Sequence, residues 1–218
     1  METIGLFGGT FDPIHCGHLR AAAEVRRVAR LDRILFIPSY IPPHKAADRA
    51  APAADRLRMA EIACRRRVGF EVSPIEVEAR GKSYSIRTLC RVKRLWPRSR
   101  LFFIVGIDAF VDIGTWHEYK KVLAECVFLV TGRPGYDLER ARDVLGGRLG
   151  RATGSLAEAG SLAAAAPTRL SVILVPIRGL DVSSTLVRER ARRGASLRGL
   201  VPSTVAAYIR AHQLYRGR

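Results

Sequence analysis

The sequence has no apolar run long enough to cross a membrane and no closely paired cysteines among its 218 residues. A spanning helix needs about 20 consecutive apolar residues, so we expect no contact with a membrane. The first predicted strand begins at Ile4, so we expect no signal peptide. Four cysteines are scattered without a Cys-x-x-Cys pair, as is typical of reduced thiols: Cys16, Cys64, Cys90 and Cys126. These absences predict a cytoplasmic protein.

Acidic residues are also scarce. The chain has 37 basic and 20 acidic residues, a formal net charge of +17, and only five of the basic residues are lysine. Such a balance attracts polyanions, either nucleic acid or nucleotide phosphates. The arginines are spread through the predicted helices instead of forming one stripe, and no aromatic residues alternate with them as in single-strand binders. We therefore expect a phosphate-handling site and no nucleic-acid partner.

The segments that are present alternate between β-prone and helical patterns, which predicts an α/β fold with a parallel sheet. We expect a Rossmann-like, doubly wound sheet with helices on both faces and two helices at the C-terminal end. The predicted strands are Ile4–Phe7, Arg33–Pro38, Phe70–Glu78 (with a break allowed at Pro74), Leu101–Val105, Cys126–Thr131 and Ser171–Ile177. The predicted helices run from Gly17 onward, from about Asp55 to Arg67, and over Ser83–Trp96, Ser183–Arg193 and Pro202–His212.

The length suits a single domain over residues 1–218. Residues 146–168 are rich in Gly, Ala and Ser and lack the large apolar side chains that build a core. We expect this stretch to be a flexible or weakly helical insertion rather than a second domain.

The stretch from Ile4 to His18 organises the rest of the chain. A buried strand, Ile4–Phe7, is followed by Gly8 and Gly9, whose missing Cβ atoms let the backbone turn and lie against a ligand. A helical apolar pattern follows, so His15 and His18 stand where a strand leads into a helix N-terminus. Backbone N–H groups and the helix dipole attract phosphate at such a place.

Four further stretches carry polar, charged or aromatic residues that suit the binding of an anion or a nucleotide. A helix N-terminus with hydroxyl residues can hold an anion, an acidic residue after a strand can accept from ribose hydroxyls, and a tryptophan can stack on an aromatic ring. Each stretch also has an ordinary interpretation as an exposed basic loop, a helix cap or a core residue. The stretches are Pro38–Lys45, Ser83–Leu89, Gly106–Asp108 with Trp116, and Asp181–Arg188.

The string Gly-Gly-Thr-Phe-Asp-Pro-Ile-His-Cys-Gly-His at residues 8–18 resembles the signature of the His-x-Gly-His nucleotidyltransferase superfamily. Pro-Pro-His-Lys, Gly-x-Asp followed by Trp, and Ser-Ser-Thr-x-x-Arg occur in the order found in that superfamily. Within it, the chain is most similar to the bacterial nicotinate-nucleotide adenylyltransferases. The resemblance implies transfer of AMP from ATP to nicotinate mononucleotide, which gives deamido-NAD and pyrophosphate in NAD biosynthesis.

The resemblance also implies roles for individual residues. His15 and His18 would be catalytic, stabilising charge as pyrophosphate leaves. The ATP-binding residues would be Gly8, Gly9, Thr10, Phe11, His15, His18, Lys45, Gly106, Asp108, Ser183, Ser184, Thr185 and Arg188. The residues binding the nicotinate nucleotide would be His44, Lys45, Ser83, Tyr84, Ser85 and Trp116. No residues are expected to form a dedicated metal site, since Mg²⁺ would be held mainly by ATP phosphates and water.

The chain departs from the family pattern Ser-Tyr-Thr-x-Asp-Thr-Leu at two positions. Ser85 replaces a threonine and keeps the hydroxyl, whereas Arg87 replaces an aspartate and reverses its charge. Any role that depends on that aspartate is therefore in doubt here. Arg56, in an Arg-x-x-Met string, also matches a family position, with a solvated helix arginine as its ordinary interpretation.

Several alternatives remain at this point. His15, Cys16 and His18 suggest a metal site, although no second cluster supplies further ligands. A transferase with the same signature could act on phosphopantetheine or on nicotinamide mononucleotide, and the +17 charge allows a nucleic-acid-binding module. The sequence leaves the oligomeric state open and is compatible with a homo-oligomer.

Overall fold

The computed structural model describes residues 1–42, 50–132, 140–145, 153–155 and 172–216. Within these ranges, seven parallel strands form one sheet in the order β3-β2-β1-β4-β5-β7-β6. The strands are β1 Thr3–Gly9, β2 Arg33–Pro38, β3 Phe70–Val72, β4 Arg100–Gly106, β5 Val127–Thr131, β6 Thr153–Ser155 and β7 Val172–Val175. The helices are α1 Cys16–Val28, α2 Ala53–Cys64, α3 Ile75–Ala79, α4 Ser85–Leu95, α5 Ile107–Phe110, α6 Tyr119–Glu125, α7 Arg140–Leu145, α8 Ser184–Arg192 and α9 Ser203–Ala211, with a 3-10 helix at Ile113–Thr115.

Strand β1 lies at the point where the strand order reverses. It pairs with β2 on one side, with Leu6 opposite Leu35, and with β4 on the other, with Leu6 opposite Phe103. The chain winds outward from β1 to β3 and then crosses back to continue through β4 and β5. In open parallel sheets, ligands bind beyond the carboxyl ends of the strands at this switch point. The predicted doubly wound α/β fold is confirmed, and the crevice lies at the ends of β1 and β4.

The side chains of the central strands point alternately to the two faces of the sheet and pack into two hydrophobic cores, one on each face. On β4, Phe102 and Ile104 pack with α1, α2, α8 and α9. Phe103 and Val105 pack on the opposite face with α4, α5 and α6. Both faces are therefore covered, which explains why the strands consist almost entirely of apolar residues. No helix in the described ranges is both long and apolar enough to span a membrane.

The predicted strand Phe70–Glu78 is wrong in its second half. Only Phe70–Val72 pairs with β2, and Ile75–Ala79 forms a short helix. Pro74 has no N–H to donate to a ladder, and it stands immediately before the helix, where its carbonyl accepts from Glu78 N at 2.8 Å. The proline therefore ends the strand completely.

Part of the stretch expected to be flexible or weakly helical is a strand. Thr153–Ser155 pairs in parallel with β7, opposite Val172–Leu174. Strand pairing uses backbone groups and does not need the large apolar side chains that this stretch lacks. The other residues of 146–168 lie outside the described ranges. Helices α5, α6 and α7, together with the 3-10 helix, were not predicted.

Candidate active site

The two histidines form a reciprocal cap at the start of α1. His15 is the N-cap residue, and its Nδ1 accepts from the backbone N–H of His18 at 3.3 Å. In return, the Nδ1 of His18 accepts from the backbone N–H of His15 at 3.2 Å. Because each Nδ1 is an acceptor, each neutral imidazole carries its proton on Nε2. The cap therefore fixes both the orientation and the tautomer of the two rings.

Aromatic packing holds the same pair from the side. The two imidazoles stack with ring centroids 3.6 Å apart and planes inclined by 22°. Phe11 meets His18 edge-on at 5.0 Å, and Phe7 does so at 6.1 Å. His15 is 2% exposed and His18 is half-buried, so the pair is packed into the fold.

Gly17, which lies between the two histidines, has no room for a side chain. A Cβ at this position would lie 2.9 Å from His15 Nδ1 and 3.2 Å from the carbonyl oxygen of Val182. Both distances are shorter than ordinary contacts, so any other residue would displace the imidazole or the segment before α8. Gly8 differs, because a Cβ there would meet only Phe103, at 3.8 Å.

The start of α8 is fastened to the histidine turn. Ser184 Oγ donates to the carbonyl oxygen of Pro13 at 3.1 Å. Arg188 donates through Nη1 to the carbonyl oxygen of Asp12 at 2.8 Å and through Nη2 to Thr185 Oγ1 at 3.1 Å. Two segments 171 residues apart in sequence thus form opposite walls of one crevice.

The serine hydroxyl groups at the start of α8, which the sequence analysis expected to hold an anion, make hydrogen bonds within the protein instead. Ser183 Oγ caps the helix by accepting from the Leu186 N–H at 3.1 Å, and Ser184 Oγ binds the opposite wall. The backbone N–H groups of Ser184 and Thr185 stand in the first turn, where no intrahelical acceptor exists. These amides and the Arg188 guanidinium are the groups of this wall whose chemistry suits an anion.

A cavity of about 620 Å³ lies between the two walls. It is lined by twelve of the predicted ATP-site residues: Gly8, Gly9, Thr10, Phe11, His15, His18, Gly106, Asp108, Ser183, Ser184, Thr185 and Arg188. We refer to it as the phosphate cavity. The remaining ATP-site residue, Lys45, and the nucleotide-site residue His44 lie outside the described residues.

A second cavity, of about 610 Å³, adjoins the first. Its lining includes the four other residues predicted to bind the nicotinate nucleotide: Ser83, Tyr84, Ser85 and Trp116. We refer to it as the aromatic cavity. Pro42, Asp108 and Ala109 line both cavities. The start of α5, directly after β4, is therefore the junction of one continuous groove.

The helix beside the aromatic cavity begins later than the sequence suggests. Helix α4 starts at Ser85, and Ser83 lies before it, with its Oγ accepting from Tyr40 N at 2.9 Å. No side chain caps this helix. The N–H groups of Ser85 and Ile86 lie in its first turn without intrahelical acceptors, which makes this end of the cavity suitable for a carboxylate.

Three aromatic rings line this cavity, those of Tyr84, Trp116 and His117. Trp116 is half-buried and stands edge-on to Phe103, with centroids 5.8 Å apart. His117, which the sequence analysis did not select, packs against Tyr84 at 4.4 Å. Arg87, the residue that departs from the family pattern, places its guanidinium 5.1 Å from the Tyr84 ring centre. The cavity thus combines flat aromatic surfaces with two carboxylates in its lining, Asp108 and Asp112, and has the Arg87 guanidinium beside Tyr84.

Arg56 is the main residue that sequence reasoning left without a role. It is 2% exposed and donates to four backbone carbonyl oxygens. The acceptors are Ala51 at 3.0 Å, Thr10 at 2.7 Å, Ser39 at 2.6 Å and Tyr40 at 2.9 Å. Burial lowers the pKa of the guanidinium from its usual value, with Asp12 opposing that shift. One side chain therefore joins the loops that follow β1 and β2.

The chain is similar to known proteins over almost its whole length. The model of the cytidylyltransferase-like family matches residues 6–190. A Thermus thermophilus protein named "Probable nicotinate-nucleotide adenylyltransferase" is 39% identical over 213 residues, covering 98% of this chain and 99% of that protein. A Geobacter metallireducens protein with the same name is 40% identical over 214 residues, covering 97% of each.

Solved structures show the same fold. Nicotinic acid mononucleotide adenylyltransferase from Plasmodium falciparum, complexed with NaAD, superposes with a TM-score of 0.72 and covers 99% of this chain and 98% of its own. The complex of the same protein with APC gives a TM-score of 0.71. Both are 17% identical in sequence, which supports the fold alone. The family match and the full-length relatives together show that this chain belongs to the cytidylyltransferase-like family and, within it, to the nicotinate-nucleotide adenylyltransferases.

Proposed function

We propose that this chain transfers AMP from ATP to nicotinate mononucleotide and releases pyrophosphate, forming deamido-NAD. The observation that carries the proposal is the continuous groove whose two cavities meet at Asp108. One part of the groove has anion-binding groups on both walls, and the other has aromatic faces beside a helix N-terminus. The reaction needs such an arrangement, because a triphosphate and a pyridine nucleotide must meet end to end.

ATP binds in the phosphate cavity in this proposal. The Nε2–H groups of His15 and His18 donate to phosphate oxygens from one wall, and the Ser184 and Thr185 amides with Arg188 do so from the other. Gly9 and Thr10 bring the turn after β1 alongside the α-phosphate. Lys45, outside the described residues, would add a cation from the loop after β2.

The adenosine lies near the ends of β4 and β5. Gly106 ends β4, and Asp108 stands two residues later, where a carboxylate accepts well from ribose hydroxyls. Gly132 lines the same region after β5. This placement leaves the other side of Asp108 for the second nucleotide.

Nicotinate mononucleotide binds in the aromatic cavity. Its pyridine ring stacks on Trp116, and its carboxylate accepts from amides at the start of α4 near Ser85. His44 and Lys45, outside the described residues, would contact its phosphate. A charge-assisted bond to backbone N–H groups is stronger than a neutral one. An amide in place of the carboxylate would bring its own N–H donors against these amides. The site should therefore prefer the acid.

The chemical step is a direct displacement at the α-phosphorus of ATP. A phosphate oxygen of nicotinate mononucleotide forms the new O–P bond, the bond between the α-phosphorus and the bridging oxygen breaks, and that oxygen leaves with pyrophosphate. Such reactions depend on alignment and on donors aimed at developing negative charge. His15 and His18 supply those donors without covalent participation.

We propose that Mg²⁺ enters with ATP. Held mainly by the phosphates and water, it would neutralise phosphate charge. Within the described ranges, no three His, Cys, Asp or Glu side chains are grouped to hold a metal. Asp108 is the carboxylate placed beside both cavities. The absence of a dedicated metal site stays a prediction.

Pyrophosphate release from ATP with each co-substrate tests the proposal. We expect rapid release with nicotinate mononucleotide and a rate at least about 100-fold lower with nicotinamide mononucleotide or phosphopantetheine, because unmet polar groups in a specific site are costly. Equal rates on the acid and the amide would refute the carboxylate site. Turnover only with phosphopantetheine would refute the proposed substrate.

A further inference from the structure

The C-terminal segment returns to the active-site turn. After α9 ends at Ala211, two residues adopt left-handed backbone conformations, Gln213 at φ 51° and Tyr215 at φ 65°. Bulky residues rarely occupy this region. The two turns direct the half-buried Tyr215 side chain toward the loop between β1 and α1, where its hydroxyl donates to Asp12 Oδ1 at 2.8 Å.

Asp12 is a junction of four separate segments. The oxygen that accepts from Tyr215 also accepts from the backbone N–H of Ala51 at 3.0 Å. The Asp12 carbonyl accepts from Arg188 at 2.8 Å, and the same guanidinium lies 3.7 Å from the Asp12 carboxylate. Asp12 is 7% exposed. Its contacts therefore set where the histidine turn lies relative to α8 and to the segment that leads into α2.

We propose that Tyr215 is a positioning residue for ATP: its hydroxyl holds Asp12, and through Asp12 the turn that carries His15. This inference rests on the proposed function. Tyr215 lines neither of the two cavities, so its effect reaches the triphosphate only through the turn. Burial and the neighbouring Asp12 raise the pKa of the Tyr215 hydroxyl above its usual range, so it remains a donor at physiological pH.

The position of the contact makes the effect selective. Asp12 lies three residues before His15 and contacts Arg188. His15 and Arg188 both line the phosphate cavity. Asp12 lies outside the lining of the aromatic cavity. Loss of the hydroxyl should therefore weaken the handling of ATP and leave the affinity for nicotinate mononucleotide unchanged.

The test is Tyr215→Phe, with Tyr208→Phe as the matched control. Tyr208 lies on α9 and donates to Asp55 at 2.8 Å, so both variants lose one Tyr–Asp hydrogen bond in the same part of the chain. Neither Tyr208 nor Asp55 lines either cavity. Steady-state kinetics with both substrates and calorimetric binding of a non-reacting ATP analogue are measured below the melting temperature of each variant.

We expect Tyr215→Phe to raise the KM for ATP and the dissociation constant of the analogue about tenfold, which matches the loss of one hydrogen bond to a charged group. The KM for nicotinate mononucleotide should stay within about twofold, and Tyr208→Phe should match the wild type. A smaller folded fraction would change the apparent kcat and the binding stoichiometry but neither constant. Unchanged ATP constants in an active Tyr215→Phe, or equal changes in both variants, would overturn the inference. A wild-type protein without adenylyl transfer would instead overturn the proposed function.

Discussion

At the scale of single residues, the proposed chemistry depends on the state of two imidazole rings. Each histidine uses Nδ1 to accept a backbone N–H from the other, so Nε2 is the donor. The preference for Nε2–H is built into the helix cap and exists before ATP binds. Preorganised donors of this kind need no rearrangement as charge develops during the reaction.

Replacing one of these rings gives the first prediction. His18→Ala removes a donor to the leaving phosphates, and we expect kcat to fall about 10²–10³-fold. The cap that His18 supplies to His15 N is also lost, at a cost of about 1 kcal/mol in unfolding free energy, so the variant should remain folded. Turnover and urea unfolding measure the two effects separately.

His212→Ala is the control for this variant. His212 is exposed at the end of α9 and stacks on Tyr208 at 4.1 Å, away from both cavities. It should retain wild-type turnover. A His18→Ala enzyme with turnover near that of the control would show that the histidine turn has no catalytic role.

At the scale of elements, the two loops beyond β1 and β2 are held together by α2. Arg56 projects from this helix and donates to carbonyls of Thr10, Ser39 and Tyr40. Parallel sheets place successive loops at the same edge, but main-chain carbonyls there have no ladder partner. A guanidinium with five N–H groups satisfies several of them at once.

Arg56→Met tests this function of the helix. The substitution keeps an unbranched apolar stem but leaves buried carbonyls without donors, so we expect a loss of about 3 kcal/mol or more in unfolding free energy. Arg58→Met is the matched control, because Arg58 lies on the same helix in an exposed ion pair with Glu61 at 2.9 Å. Such pairs contribute about 1 kcal/mol or less. Equal losses in the two variants, measured by urea unfolding, would contradict the role assigned to Arg56.

The sequence predicted elements well where local pattern and burial agree. The apolar strands β1, β2, β4 and β5 lie within a few residues of their predicted bounds. The helices whose boundaries are marked by a nearby glycine or proline do so as well. It failed where the outcome depends on distant segments. Thr153–Ser155 forms a strand because the edge of β7 is there to pair with. The second half of Phe70–Glu78 was wrong for a local reason, because Pro74 interrupts a pattern that alternates like a strand.

The candidate site shows the same division. The motifs selected His15, His18 and the start of α8 because residue type and spacing carry their chemistry. The burial of Arg56 could not be predicted, since its carbonyl partners come together only when the sheet forms. The same holds for Tyr215, whose partner Asp12 is 203 residues away in sequence.

At the scale of the whole molecule, the fold brings together at one crevice two distant segments that we propose bind anions. The turn after β1 and the start of α8 are joined by the Ser184–Pro13 and Arg188–Asp12 hydrogen bonds. The high positive charge of the chain, +17, favours arrival of polyanions in general. The specific claim is narrower: a single triphosphate is bound by both walls.

A crystal structure of the protein with a non-reacting ATP analogue tests that claim most directly. We predict one triphosphate in the phosphate cavity, with oxygens within about 3.2 Å of His18 Nε2 on one side and of the Ser184 or Thr185 backbone nitrogen on the other. A triphosphate that contacts only one of these walls, or that binds outside the crevice, would contradict the account.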